Sequence, residues 1–350
     1  MTWFATGLSQ DQADLVSLVD AVVAKHGETS GDDASTAARA RVAMAEAGLW
    51  TIGISEDRGG GGAPMPLRLT AMVALGQRWA AWAWACAQVH AAAELLDGHD
   101  GAKLWSHIHA ADPFVVVDAA APHVEVEIDH ERIRGSLRRV DPAGDNPHVV
   151  VLVDDSTAWL LPPEALDNIR SLRRTGMAGA LSISAEIDAS AADAVILTDV
   201  PVDEVRARLQ LAGAAIAAGI ALEAAERSVA YAGARVQFGA PLTELPTVRG
   251  ALFDQARHAT DALTLALGTA ATPWRAAAVL AGNCERAIEA ATSAVQAHGG
   301  YGYLAEYEVE RLLRDAVSLR AATAAAHGAR SSAANLVGHP GDPTDHVRKS

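Results

Sequence analysis

A glycine-rich loop precedes a charged, periodic segment in QAHGGYGYLAEYEVERLLRDA, residues 296–316. Gly299, Gly300 and Gly302 carry no Cβ, so backbone N–H groups there can approach a ligand closely. The residues that follow combine apolar spacing typical of a helix with acidic residues first and basic residues later. A helix start behind such a loop favours the binding of an anion such as a pyrophosphate. The alternative is a turn that only joins two helices.

A second segment, ARVQFGAPLTELPTV (234–248), offers side chains suited to the same ligand. A guanidinium such as that of Arg235 pairs well with phosphate oxygens, and the amide of Gln296 can donate to them. Taken singly, Arg235 could equally be a surface arginine at a helix end, and Phe238 a core aromatic residue. Residue type alone leaves these alternatives open.

Composition excludes several classes of protein. A formal net charge of −15 over 350 residues argues against nucleic acid as a partner. Cys86 and Cys284, the two cysteines, cannot build a disulfide framework and lack the spacing of a metal site, so we expect a reducing cytoplasm and no metal. No uninterrupted apolar run approaches the length of a membrane span, and the N-terminus lacks the pattern of a secretion signal. We therefore expect a cytoplasmic protein without a membrane partner.

The pattern of apolar residues changes twice along the chain. Helical periodicity dominates residues 1–112, short runs rich in valine, isoleucine and leucine dominate 113–200, and long helices return over 201–335. The last residues, 336–350, are predicted to form a flexible tail. Helices, then strands, then helices indicate an α+β fold with segregated elements. We expect an N-terminal helical domain, a middle β domain and a C-terminal antiparallel four-helix bundle.

Both segments described first, together with MAEAGLWTIGISEDRGGGGAP (44–64), resemble the acyl-CoA dehydrogenase family. The resemblance spans nearly the whole chain and implies the same three-part order of helices, strands and helices. It also implies FAD as cofactor, bound mainly by a neighbouring subunit and reached across the interface. The residues that this assigns to the cofactor are Arg235, Phe238, Gln296, Gly299 and Gly300.

The chain departs from the family in the groups that hold the flavin ring and in the base. The usual Thr-Glu-Pro and Trp-Ile-Thr/Ser segments are missing from 115–129 and 133–153. The carboxylate base should remove the α proton of an acyl thioester while hydride leaves the β carbon. One family position for it corresponds to Thr323 and the other to Leu209, and neither side chain is basic. Glu204, more than a helical turn before Leu209, is a weak candidate.

A chain with half of a flavin site and no base suggests a division of labour. The leading hypothesis is the non-catalytic subunit of a hetero-oligomeric acyl-CoA dehydrogenase, similar to the shortened subunits that act on steroid side-chain thioesters in actinobacteria. A second hypothesis is a self-sufficient homo-oligomeric enzyme with a displaced carboxylate base. A third is a flavin-free protein that binds acyl-CoA or assists assembly, since fold does not fix function.

Overall fold

A computed structural model describes residues 7–26, 33–97, 102–129, 131–237 and 239–336. Phe238 and residues 337–350, which include nearly all of the predicted tail, lie outside the described residues. The N-terminal part is helical, as the sequence predicts. Its helices are α1 (Gln10–His26), α2 (Ala34–Glu46), α3 (Met65–Arg78), α4 (Ala80–Leu96) and α5 (Ala102–His109).

Strands follow in two four-stranded sheets. They are β1 (Phe114–Asp118), β2 (Val124–Ile128), β3 (Arg132–Val140), β4 (His148–Leu152), β5 (Ala158–Leu161), β6 (Leu166–Ser171), β7 (Ile183–Ser190) and β8 (Val195–Leu197). The first sheet has the order β1-β4-β5-β8, with β1 and β4 parallel and the other pairs antiparallel. The second sheet, β2-β3-β7-β6, is antiparallel throughout.

Strands β1, β4 and β5 of the first sheet are buried on both faces, which explains the continuous valine runs of β1 and β4. Val115 and Val117 of β1 face the second sheet and join the core of the β domain. Val116, between them, faces the other way and joins the core formed by the helices. The first sheet therefore connects the β domain to the helical core.

The C-terminal part is again helical. Its helices are α6 (Val202–Ala234), α7 (Pro246–Gly268), α8 (Pro273–His298), α9 (Val309–Ala322) and α10 (Ala325–Leu336). α6 packs against α7, α8 and α9, as expected for the bundle, and also against α3 and α4. A short two-stranded hairpin, β9 (Val236–Gln237) and β10 (Ala240–Pro241), lies in the connection between α6 and α7. α9 and α10 are separated by a break at Ala324, which has a φ of 49°.

Two glycines allow α3 and α6 to pack closely. A Cβ on Gly219 of α6 would lie 2.2 Å from the carbonyl oxygen of Val73, and one on Gly76 of α3 would lie 2.6 Å from that of Ile216. Such distances leave no room for a side chain at either position. By length and composition α6 could cross a membrane, but 78% of its most apolar window is buried in the fold, as expected for a core helix.

Candidate functional site

A cavity of about 370 Å³ lies where the first sheet, α6, α8 and the break between α9 and α10 meet. Trp84, Leu152 and Leu280 supply part of its apolar wall. Leu209 on α6 and Thr323 after α9 both line it. The two positions were found by counting along separate segments of the sequence, and the fold brings them to one cavity.

Neither of these two residues can accept a proton from a carbon acid. The hydroxyl of Thr323 donates to the carbonyl oxygen of Leu319 at 2.9 Å, as its position at the end of α9 permits. Leu209 has no titratable group. Glu204 is not among the residues that line the cavity. Its side chain is 67% exposed and pairs with Arg208 at 2.7 Å.

Polar groups that sequence analysis did not single out also line the cavity. Asp118, at the end of β1, pairs with Arg206 at 2.8 Å. His123 and His327 line it as well, and burial lowers the pKa of each imidazole below its usual range. Both rings are therefore neutral at pH 7.

The entrance to the cavity is acidic. Asp154, Asp155 and Asp203 are exposed and line it. The guanidinium of Arg206 lies among them but pairs with Asp118 and Asp203. Like charges repel, so this entrance is unfavourable for the phosphates of a coenzyme A thioester.

The glycine segment lies elsewhere, at the end of the bundle where α8 stops. Gly299 follows the last residue of α8 with a φ of 58°, and its N–H donates to the carbonyl oxygen of Gln296. Two 3-10 turns fill the interval before α9, which begins only at Val309. The prediction of a helix N-terminus directly behind the glycines is therefore wrong. They follow a helix C-terminus, where the partial charge is negative.

Aromatic rings connect this segment to the end of α6. The guanidinium carbon of Arg235 lies 5.3 Å from the centre of the Tyr301 ring. The rings of Tyr231 and His298 are stacked 4.1 Å apart, and Tyr307 meets both at an angle. Arg235 is thus held beside the glycine segment.

The glycines of this segment have different roles. A Cβ on Gly302 would lie 2.4 Å from the carbonyl oxygen of Val295, so its small size is required by packing on α8. Gly299 and Gly300 are exposed, and a Cβ at either would meet nothing within 4 Å. Gln296, three residues before Gly299, is exposed as well.

We call this region the end surface, defined by Arg235, Gln296, Gly299 and Gly300 with the exposed apolar side chains beside them. Those side chains are Val236, 58% exposed, Tyr301, 41%, Tyr303, 79%, and Leu304, 45%. The sequence brings four of the five predicted cofactor residues to this surface, and the fifth, Phe238, is outside the described residues.

Residues 206–325 match the family described as acyl-CoA dehydrogenase, C-terminal domain. A probable acyl-CoA dehydrogenase, YngJ, of Bacillus subtilis is 40% identical over 110 residues, 29% of this chain and 29% of that protein. The acryloyl-CoA reductase (NADH) of Anaerotignum propionicum is 35% identical over 107 residues, 29% of this chain and 27% of that protein. The matches thus span less than a third of these relatives.

Solved structures resemble nearly the whole chain. A glutaryl-CoA dehydrogenase from Mycobacterium smegmatis in complex with FADH2 superimposes with a TM-score of 0.78 at 15% identity, covering 97% of this chain and 98% of that one. The ChsE4-ChsE5 complex from Mycobacterium tuberculosis gives a TM-score of 0.74 at 20% identity, covering 95% and 99%. The chain has the acyl-CoA dehydrogenase fold, and the part that matches the C-terminal domain of that family is residues 206–325.

Proposed function

We propose that this chain is a subunit of an FAD-dependent acyl-CoA dehydrogenase in which a related chain supplies the catalytic base. The observation that carries the proposal is that Leu209 and Thr323 line one cavity. Both places where the resemblance puts a carboxylate face the same space, and both hold residues without basicity. The cavity therefore has no carboxylate at either of the two positions where the resemblance puts the base.

The end surface fits a part of FAD that another chain would hold. Arg235 offers a fork of N–H donors for phosphate oxygens, and Gln296 offers an amide. The open space above Gly299 and Gly300 would let the cofactor lie against the backbone. Bound there, the flavin would supply the hydride acceptor. The residues of this chain would bind and orient it, and the role of Phe238, which lies outside the described residues, stays a prediction.

Exposed apolar side chains beside these polar groups favour a protein partner. Val236 follows Arg235, and Tyr303 and Leu304 lie within three residues of Tyr301, the ring that Arg235 contacts; all are exposed. A contiguous apolar patch with a polar rim is typical of a protein interface. The heteromeric ChsE4-ChsE5 complex, at 20% identity, is a structural precedent for unlike partners. A steroid side-chain thioester, the substrate class that the sequence resemblance implies, is our preferred substrate class for the assembled enzyme.

The acidic entrance supports the same division of labour. Asp154, Asp155 and Asp203 would repel the coenzyme A phosphates from the cavity of this chain. We therefore place productive acyl-CoA binding in the cavity of the partner, and the assembly in the cytoplasm.

One observation favours a self-sufficient homo-oligomer as the second candidate. Asp118 is a carboxylate that lines the cavity, although its pairing with Arg206 lowers its availability as a base. Glu204 gives this candidate no support, because it faces solvent. A flavin-free binding or assembly protein is the third possibility.

Purification separates the three functions. The chain should be colourless when expressed alone and yellow when co-expressed with a related acyl-CoA dehydrogenase subunit, with flavin and both chains eluting together. A yellow, active preparation of the single chain would establish the second candidate. A stable complex, or a stable single chain, that never retains flavin would establish the third.

A further inference from the structure

The geometry points to a binding site for a divalent transition metal ion at the junction between α5 and the first sheet, formed by His107, Asp112 and His148. One ring nitrogen from each histidine and a carboxylate oxygen of Asp112 lie within 4.8 Å of one another. Two imidazoles and one carboxylate are a ligand set that suits Zn²⁺ and its neighbours in the first transition row. The sequence predicted no metal, because the three residues come from separate elements and form no spaced motif.

The buried ring of His148 is the observation that indicates a missing ligand. His148 is the first residue of β4, its side chain is 5% exposed, and its Nδ1 is buried without a hydrogen-bond partner. Leaving a buried polar atom unpaired is unfavourable, and such atoms in folded proteins usually have a partner. The ring is stacked on Phe114 at 4.7 Å with an interplanar angle of 17°. It is therefore held in place before any ligand arrives.

The other two residues can move to complete the site. Nδ1 of His107 lies 2.7 Å from a carboxylate oxygen of Asp112, and the two side chains are 45% and 42% exposed. The His107 and His148 rings lie 4.7 Å apart. Ligand atoms around Zn²⁺ lie about 2.0–2.2 Å from the ion. The half-exposed side chains must therefore move by about an ångström, opening their own contact and approaching the fixed His148 ring.

Some neighbouring charges favour a bound cation and others oppose it. Glu164 is close enough to His148 to influence its titration and would add favourable negative charge. Arg41 similarly interacts with Asp112 and opposes a cation, but its Nε–H is directed to the carbonyl oxygen of Ala111 at 2.9 Å. Three protein ligands would leave a fourth position for water, as in open zinc sites.

Binding would connect the last turn of α5 to the start of β4. His107 lies on α5, while Asp112 follows it just before β1. Because the ion would contact both the helical part and the β domain, it would stabilise their junction in the folded state only.

The test uses the full chain, freed of metal with a chelator and titrated with Co²⁺ and then Zn²⁺. We expect saturable binding of one Co²⁺, a visible d–d absorption band, its loss on adding Zn²⁺, and a higher melting temperature. Loss of an outer partner of a metal ligand alone weakens binding about 10- to 100-fold, so His107→Gln and Asp112→Asn should each weaken it at least that much. Both are half-exposed, so their folds should persist even if His148→Gln proves unstable.

His109→Gln is the matched control, since His109 lies on the same helix but its ring bonds the carbonyl oxygen of Arg58 at 2.8 Å. It should bind Co²⁺ as the natural chain does. Absence of saturable binding up to millimolar Co²⁺ would overturn the site. Equal affinity of the His107→Gln, Asp112→Asn and natural chains would show adventitious binding at other histidines and would overturn it equally.

Discussion

Arg235 lies over the face of Tyr301, with its guanidinium carbon 5.3 Å from the ring centre. The contact holds the last residue before the hairpin against the first residues after α8, so two segments 66 positions apart share one surface. A cation over an exposed aromatic ring contributes only about 0.5–1 kcal/mol. The arrangement is thus weak enough for the guanidinium to exchange its ring contact for a phosphate.

Arg235→Ala should reduce flavin retention by the assembled complex. Hydrogen bonds to charged groups contribute about 1.5–3 kcal/mol, which predicts a loss of FAD affinity of about 10- to 100-fold. Arg235→Lys should lose part of that, because an ammonium cannot form the bidentate contact. Equilibrium dialysis of FAD against the complex gives the measurement, with circular dichroism to check the fold.

Arg257→Ala is the control for the Arg235 substitution. Arg257 is an exposed arginine of α7 whose nearest carboxylates, Asp254 and Asp261, lie 3.7 Å away. Its removal should leave FAD affinity unchanged. Equal flavin occupancy in the Arg235→Ala and natural complexes would remove the end surface from the cofactor site.

We expect the buried carboxylate of Glu223 to contribute strongly to the stability of the helical bundle. This carboxylate is 4% exposed, pairs with Arg227 at 2.7 Å and with Arg78, and accepts from Gln77 at 3.3 Å. Glu223→Ala would remove the buried acceptor that Gln77, Arg78 and Arg227 share, although Arg227 also pairs with Glu308 at 2.6 Å. Removing one member of a buried pair costs about 3–5 kcal/mol, and the partial exposure of both arginines reduces this to about 2–4 kcal/mol.

Chemical denaturation of the Glu223→Ala variant measures that loss. Glu204→Ala is the comparison, since Glu204 makes an exposed i,i+4 pair with Arg208 and its loss should cost no more than about 0.5 kcal/mol. If both variants unfold at the same denaturant concentration, the buried cluster contributes no more than a surface pair.

The division of the chain into a helical part, a β part and a second helical part was predictable, because the spacing of apolar residues reflects which side chains are buried. The valine runs of β1 and β4 and the alternation of β2 all appear as strands. β6 carries no comparable signal, because five of its six residues are exposed and no apolar alternation shows.

The candidate sites were only partly predictable. Counting from the motifs found Leu209 and Thr323, because spacing within a helix survives substitution. His123, at the end of the turn before β2, and His327, on α10, reach the same cavity through tertiary packing. No local pattern carries that information. The prediction of a helix start directly behind the glycine loop was wrong for a similar reason. Two 3-10 turns follow the glycines, and such short turns show no periodic spacing of apolar residues in the sequence.

Because the imidazole of His90 is buried, we predict that the stability of the protein declines in mild acid. His90 lies inside α4, its Nε2–H donates to the carbonyl oxygen of Trp50 at 3.2 Å, and burial lowers its pKa from 6.5 to about 3. Below pH 6.5 the unfolded chain therefore binds a proton that the folded chain does not. The free energy of unfolding is greatest above pH 6.5 and falls as the pH drops towards 3, by up to about 1.4 kcal/mol per pH unit.

The slope of stability against pH, measured between pH 7 and pH 5, tests this. His90→Gln should reduce the slope by up to about 1.4 kcal/mol per pH unit, whatever its effect on absolute stability, because glutamine does not titrate. His109→Gln, at an exposed site, should keep the slope of the natural chain. A His90→Gln variant with the full slope would assign the acid sensitivity to other histidines.

The last prediction is that the isolated chain does not oxidise acyl-CoA. Thr323 and Leu209 line the cavity where a carboxylate is needed, the hydroxyl of Thr323 is bonded to Leu319, and the segments that would hold the flavin ring are missing from the sequence. Loss of a general base costs about 10²–10⁴-fold in rate, and loss of an ordered flavin ring should remove what activity remains.

In a reconstituted complex, Glu204→Gln should leave dye reduction by acyl-CoA unchanged, because Glu204 pairs with Arg208 in solvent. Asp118→Asn should likewise have little effect, whereas replacing the base carboxylate of the partner should abolish turnover. Rapid dye reduction by the single chain that disappears with Asp118→Asn would reverse the assignment, placing the base in this cavity and making the chain an enzyme without a partner.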